Sequence, residues 1–91
     1  MNFPLHVLAA DSPFYEGECR SLVVPTLDGQ YGVQAGHCNT ICAIVPGTLT
    51  YRTPDGETHP AAVAAGIMKI EKGEVLVLVD SALRPEEDRK S

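Results

Sequence analysis

Apolar residues fall in short runs broken by turn-forming residues, and the spacing of those breaks predicts strands. Leu5 to Ala10 reads as a first strand, short and apolar. Asp11-Ser12-Pro13 has turn chemistry, and Phe14 to Glu18 leads into a β-branched strand from Cys19 to Val24. Pro25 has no N–H for a ladder, so that strand is expected to end or reach an edge there. Thr40 to Val45 is the next strand, stopped by Pro46-Gly47. Thr48 to Thr53 then meets Pro54-Asp55-Gly56, the strongest hairpin signal in the chain. The return strand, Glu57 to Ala65, carries Pro60, which places its first half near an edge. In Gly66 to Glu71 apolar and charged residues alternate imperfectly, with Ile67 and Ile70 as apolar positions and Met68 ambiguous. After Lys72-Gly73, the five-residue apolar run Val75 to Val79 predicts a strand covered on both faces.

Up to Asp80 no ten-residue window carries a 3.6-residue period. Turn signals every eight to twelve residues instead predict an all-β domain, an antiparallel sandwich or a small barrel. Pro85 followed by Glu86, Glu87 and Asp88 has the chemistry of a helix start, with only seven residues from Pro85 to Ser91. The expected organisation is therefore a β-domain over 1–83, with 84–91 as the start of a linker or helix that stops at a domain boundary.

One stretch resists assignment to a strand. Val23 to His37 runs through Pro25 into glycines at 29, 32 and 36 and closes on a histidine. We expect it to form a loop, its glycines relieving backbone sterics at bends. The spacing contains neither GxGxxG nor GxxxxGK[ST], so it is not a phosphate-binding fingerprint.

Composition narrows the picture. At 91 residues the chain fits one domain, which buries only about 60% of its unfolded surface. With no tryptophan and 5% aromatics, its core must be aliphatic. A net charge of −5 and scattered basic residues give no stripe to neutralise nucleic-acid phosphates and no basic face for a membrane. The first residues lack the charged and apolar regions of a signal peptide, and no apolar run reaches membrane-spanning length. Three cysteines, an odd number, fit reduced thiols in a cytosolic protein better than a disulfide framework.

Candidate chemistry is sparse. His37, Cys38 and Cys42 lack the second ligand pair of a zinc site, and Cys38 and Cys42 are expected on one face of a strand as packing residues. Cys19 with His6 or His59 has no flanking motif of a thiol enzyme, and no serine sits in a GxSxG elbow. Asp28-Gly29 lacks the remaining acids of a calcium loop. By elimination the residues describe a binding or structural module with no cofactor.

An ordered set of pieces carries more. Val24-Pro25, Gly29-Gln30-Tyr31-Gly32-Val33, Gly36-His37, Pro46-Gly47 with Leu49, and Val77 to Ala82 together resemble the N-terminal domain of the epsilon subunit of F-type ATP synthase, called delta in mitochondria. The resemblance spans about Phe3 to Glu87. It departs from the family at Pro4, at Ala35 before Gly-His, at Cys38-Asn39 after it, and at Ala65 where the family has glycine.

The resemblance implies a sandwich of two five-stranded sheets that is not itself catalytic. It implies a central-stalk subunit that binds gamma, sits on the c-ring and couples proton-driven rotation to ATP synthesis. Peripheral association with the cytoplasmic side of the membrane would come only through the complex. Carried over, Asp28, Gly29, Gln30, Tyr31 and Gly32 are the c-ring contacts, and His37 lies at the gamma or ring junction or closes the loop by a hydrogen bond. The family's C-terminal helical hairpin is matched only at its approach, Arg84 to Asp88, so inhibition and ATP binding are expected to be absent from the chain as given. The alternative is a stand-alone intracellular β-sandwich that binds a small ligand.

Overall fold

The computed structural model describes residues 1–10 and 12–84, and within them every regular element is a strand. These are β1 (Phe3–Ala9), β2 (Ser12–Cys19), β3 (Ser21–Thr26), β4 (Gly29–Gln34), β5 (Thr40–Ile44), β6 (Gly47–Arg52), β7 (Thr58–Val63), β8 (Gly66–Glu71), β9 (Glu74–Val79) and β10 (Ala82–Leu83). They form two five-stranded sheets, β2-β1-β9-β8-β5 and β10-β7-β6-β3-β4. The expected sandwich is therefore present. One pairing departs from the antiparallel rule, since β1 and β9 run parallel, with Leu5 opposite Val75 and Ala9 opposite Val79.

Alternation along each strand decides which side chains face inward. Leu5 and Val7, Leu22 and Val24, Leu49 and Tyr51, Met68 and Ile70, and Val75, Val77 and Val79 are all buried between the sheets. The core is mostly aliphatic, with Phe3 and Tyr51 as its buried aromatics, and Met68 rather than Ile67 points into it.

Four strand expectations are corrected. Ser12 and Pro13 begin β2, because they pair with Ala9 and Leu8 of β1 across a register shift; Asp11 lies outside the described residues. The strand expected from Cys19 to Val24 breaks at Arg20, where the chain leaves one sheet and β3 starts the other. Cys38 precedes β5 and is exposed, so it does not share a strand face with Cys42. The run Val75 to Val79 is covered on its inner face only: Leu76 is half-buried and Leu78 is exposed on the outer side of its sheet.

The two prolines behave as their chemistry demands. β3 continues past Pro25 to Thr26 because the ladder to β6 ends at Val23, and the carbonyl of Pro25 points to that vacated side, accepting from Val45 N–H at 3.1 Å. The missing N–H lies on the same side, where no ladder partner needs it. Pro60 pairs with Thr50 of β6. Its other side is an edge, because β10 covers only Ala62 and Val63.

Among the glycines, Gly66 has the closest surroundings. A Cβ there would overlap the Leu78 carbonyl oxygen and lie 2.7 Å from Val79 Cα, across the β8–β9 ladder. Aromatic groups close the side of the sandwich where β2 and β7 are near the margins. Tyr51 packs 4.5 Å from Tyr15 and 5.2 Å from His59 (ring centroids), and the Arg84 guanidinium sits 4.9 Å from the Phe14 ring. Burial raises the Tyr51 phenol, opposed by the charge of Arg84 and its hydrogen bond. Burial also raises Tyr15 and the Cys19 thiol.

Gly66→Ala is expected to cost about 3 kcal/mol, as forced backbone shifts in packed sites do. By circular dichroism this appears as a fall of roughly 10–20 °C in Tm. A second expectation concerns pH. Folding favours the neutral forms of Cys19, Tyr15 and Tyr51, so their contribution is complete below the ordinary values of 9.0 for the thiol and 10.0 for the phenols. It is lost as pH rises through the raised values. Urea midpoints at constant salt should hold steady to about pH 9 and fall above it, and Tyr51→Phe should flatten the decline above about pH 10.

Candidate functional site

The stretch expected as a loop is for the most part a hairpin. β3 and β4 pair from Ser21 with Gln34 to Thr26 with Gly29, so only Leu27 and Asp28 form the tip. Alternation of Leu22 and Val24 on one strand with Val33 on the other gives the hairpin a buried face, and Gly32 lies on the opposite, outward face inside a regular strand, across from Val23. Bending is confined to Gly29 (φ 108°) at the tip and Gly36 (φ 85°) after β4. Thr26 organises the tip: its hydroxyl donates to the Gly29 carbonyl at 2.7 Å and accepts from Asp28 N–H at 3.3 Å.

The tip is exposed and mixed in character. Leu27 is 86% exposed beside Asp28, the one formal charge in the hairpin. Gln30 points outward, and a 320 Å³ cavity lined by Thr26, Leu27, Asp28, Gln30, Tyr31, Cys42 and Ala43 opens between β4 and β5. β4 and β5 are each the margin of their sheet, so both present unpaired backbone beside this cavity.

His37 lies beyond the far end of β4, yet its ring returns to Tyr31. The Tyr31 hydroxyl and His37 Nε2 are 2.9 Å apart, and His37 Nδ1 is 2.9 Å from the Cys38 carbonyl oxygen. A carbonyl only accepts, so Nδ1–H donates to it and Nε2 takes the phenolic hydrogen of Tyr31 in the neutral ring. Both ring nitrogens are thereby engaged. The rings meet edge-on with centroids 5.5 Å apart. Of the six residues expected at the contact, the structure joins Tyr31 and His37 directly, sets Asp28 and Gly29 at the tip, and places Gln30 and Gly32 on the outward side of β4.

Cys19 and Cys42 are packing groups, whereas Cys38 is exposed. Cys19 is buried and its Sγ–H donates to the Ser21 carbonyl at 2.8 Å, and burial holds it as the thiol. Neither His6 nor His59 hydrogen-bonds it; His6 lies 3.8 Å from Glu16 and His59 3.9 Å from Glu57.

A second surface was not anticipated. On the outer face of the β2-β1-β9-β8-β5 sheet, registered pairing aligns Leu8, Leu78, Ile67 and Ala43 in one row across four strands. The adjacent row runs His6, Leu76, Lys69 and Ile41. Ile41 is 68%, Ile67 44% and Leu78 37% exposed. An apolar row of this kind on an outer sheet face marks an interaction surface more often than an accident. The sequence held the signal in the unbroken run of β9, whose odd members belong to the core and whose even members belong to this face.

Comparison with known proteins follows this geometry. Residues 2–85 match the family described as ATP synthase, Delta/Epsilon chain, beta-sandwich domain. The ATP synthase epsilon chain of Psychrobacter cryohalolentis is 35% identical over 78 residues, covering 86% of this chain and 56% of the relative. That of Ruminococcus albus is 32% identical over 81 residues, covering 89% and 60%. The chain thus spans a little over half the length of the curated relatives it matches. Among solved structures, a chain of the Euglena gracilis mitochondrial ATP synthase (OSCP/F1/c-ring, rotational state 1) superposes with a TM-score of 0.89 at 23% identity, covering 94% of this chain and 55% of that one. A chain of the Tetrahymena thermophila mitochondrial ATP synthase central stalk and c-ring gives 0.80 at 12% identity, covering 94% and 69%. These two likenesses concern the fold. Fold and sequence match agree, and this chain belongs to the ATP synthase delta/epsilon chain family through its β-sandwich domain.

Proposed function

We propose that this chain is a non-catalytic central-stalk subunit of a proton-translocating F-type ATP synthase, binding gamma and the c-ring and coupling rotation to ATP synthesis. The observation that carries this reading is the family match across residues 2–85. The surfaces described above give it physical form. The exposed tip at Leu27 and Asp28, with Gly29, Gln30, Tyr31 and Gly32 behind it, is the contact for the polar loops of the ring. Tyr31 and His37 brace that contact, and His37 stands at the junction with gamma. The outer apolar row of Leu8, Leu78, Ile67 and Ala43 is the face offered to gamma, because its burial requires a partner with a complementary apolar surface. Residues 1–83 form the domain that does this, and its place at the cytoplasmic side of the membrane comes from the assembly.

The first test is binding to gamma. Replacing Ile67 and Leu78 together with Glu should leave Tm within a few degrees, since both side chains are exposed, and should weaken a gamma complex by at least about 100-fold, as expected where an interface centre is lost. Unchanged affinity by calorimetry would remove this face from the reading. The second test is Gly32→Val. No atom lies within 4 Å of the position its Cβ would take, so the variant should fold with a gain of up to about 1 kcal/mol from replacing a strand glycine. In a reassembled synthase it should nonetheless lower proton-driven ATP synthesis relative to ATP hydrolysis, and a variant that simply unfolds would make Gly32 structural.

A further inference from the structure

The stalk reading leaves one charged cavity unused. It lies at the end of the sandwich away from the Leu27–Asp28 tip, where Ser21 faces Gln34 on one side and Arg52 on the other. Its volume is 310 Å³, and it is lined by Met1, Arg20, Ser21, Gln34, Ala35 and Arg52. Two arginines therefore line one space whose lining includes no acidic residue, in a chain whose net charge is −5.

The two backbones are tied together, and the Arg52 guanidinium is anchored. Arg20 N–H donates to the Arg52 carbonyl at 2.7 Å, which fixes the two backbones side by side where β2 passes into β3. Arg52 Nε donates to the Gly56 carbonyl at 3.2 Å, anchoring that guanidinium on the β6–β7 turn. The turn itself is tied, with Asp55 accepting from the Thr53 hydroxyl and, at 3.2 Å, from Glu57 N–H. Its acid is thus committed to the turn: the Asp55 carboxyl is held below its ordinary value chiefly by the Thr53 hydrogen bond. Among the described residues, the ion pairs are His6 with Glu16, His59 with Glu57 and Lys69 with Glu71; Arg20 and Arg52 take part in none.

We propose that the Arg20–Arg52 cavity binds a small phosphate-bearing ligand. Two planar forks can each give a pair of parallel N–H···O bonds to an oxyanion, the arrangement for which arginine is better suited than lysine. The Ser21 hydroxyl and the Gln34 amide add neutral donors. That set exceeds what the two oxygens of a carboxylate accept and matches the three or four oxygens of a phosphate. The volume suits a phosphate with a modest organic group attached. The site is separate from the hairpin tip and the apolar row, so it stands or falls independently of the stalk reading.

The test is a titration of the isotopically labelled chain with inorganic phosphate and with phenyl phosphate, at fixed pH and ionic strength, followed by heteronuclear NMR. Saturating shifts should centre on Arg20, Ser21, Ala35 and Arg52. Arg20→Gln combined with Arg52→Gln should weaken binding at least tenfold with the rest of the spectrum unchanged, while Lys69→Gln with Lys72→Gln should leave it alone. Arg20→Lys, which keeps the charge and loses the fork, should weaken it severalfold. Once phosphate saturates the site, vesicles containing phosphatidic acid distinguish the source. Sedimentation that depends on the two arginines assigns a lipid headgroup, and a chain left in the supernatant assigns a soluble phosphate. Shifts linear in phosphate and equally large at Lys69 and Lys72 would overturn the site. Acetate binding as tightly as phosphate would overturn the ligand class.

Discussion

The seam between β1 and β9 holds the domain together. Leu5, Val7 and Ala9 lie parallel to Val75, Val77 and Val79, so the first strand and the ninth occupy adjacent central places in one sheet. Parallel neighbours need a crossover, and here the crossover is the remainder of the molecule: β3, β4, β6 and β7 build the second sheet between the two halves of the first. The buried residues of both seam strands face the inward rows of that second sheet, including Leu22, Val24 and Leu49. Neither sheet can bury its inner face until the seam forms, which couples hairpins that would be marginal alone into one cooperative unit.

Much of this was legible because turn chemistry is local. Pro54-Asp55-Gly56, Lys72-Gly73 and Pro46-Gly47 fall where strands change direction, and period-two burial follows from them. What escaped the sequence depends on partners distant in the chain. Val75 to Val79 reads as buried on both faces because every member is apolar; only the registry with β8 and β1 reveals that Leu76 and Leu78 look outward. Likewise the break at Arg20 is invisible in a β-branched run, since it comes from strands changing sheets rather than from a turn residue.

The β3–β4 hairpin shows the same division. Its glycines predicted bends, but Gly32 sits in a straight strand because Leu22, Val24 and Val33 pull the surrounding residues onto the core. The joining of Tyr31 to His37 could not be read from a spacing of six residues, since it requires the chain after Gly36 to fold back along β4. The hydrogen bonds explain how a narrow hairpin on a sheet margin keeps its shape.

Arg84, set over the Phe14 ring and hydrogen-bonded to Tyr51, has a geometric consequence for anyone joining this domain to something else. It fastens the departing chain to the narrow side bounded by β2 and β10, while β5 and β4 bound the opposite side, with Tyr31 and Cys42 between them. An attachment made at residue 84 therefore starts on the flank of the sandwich away from the β3–β4 hairpin.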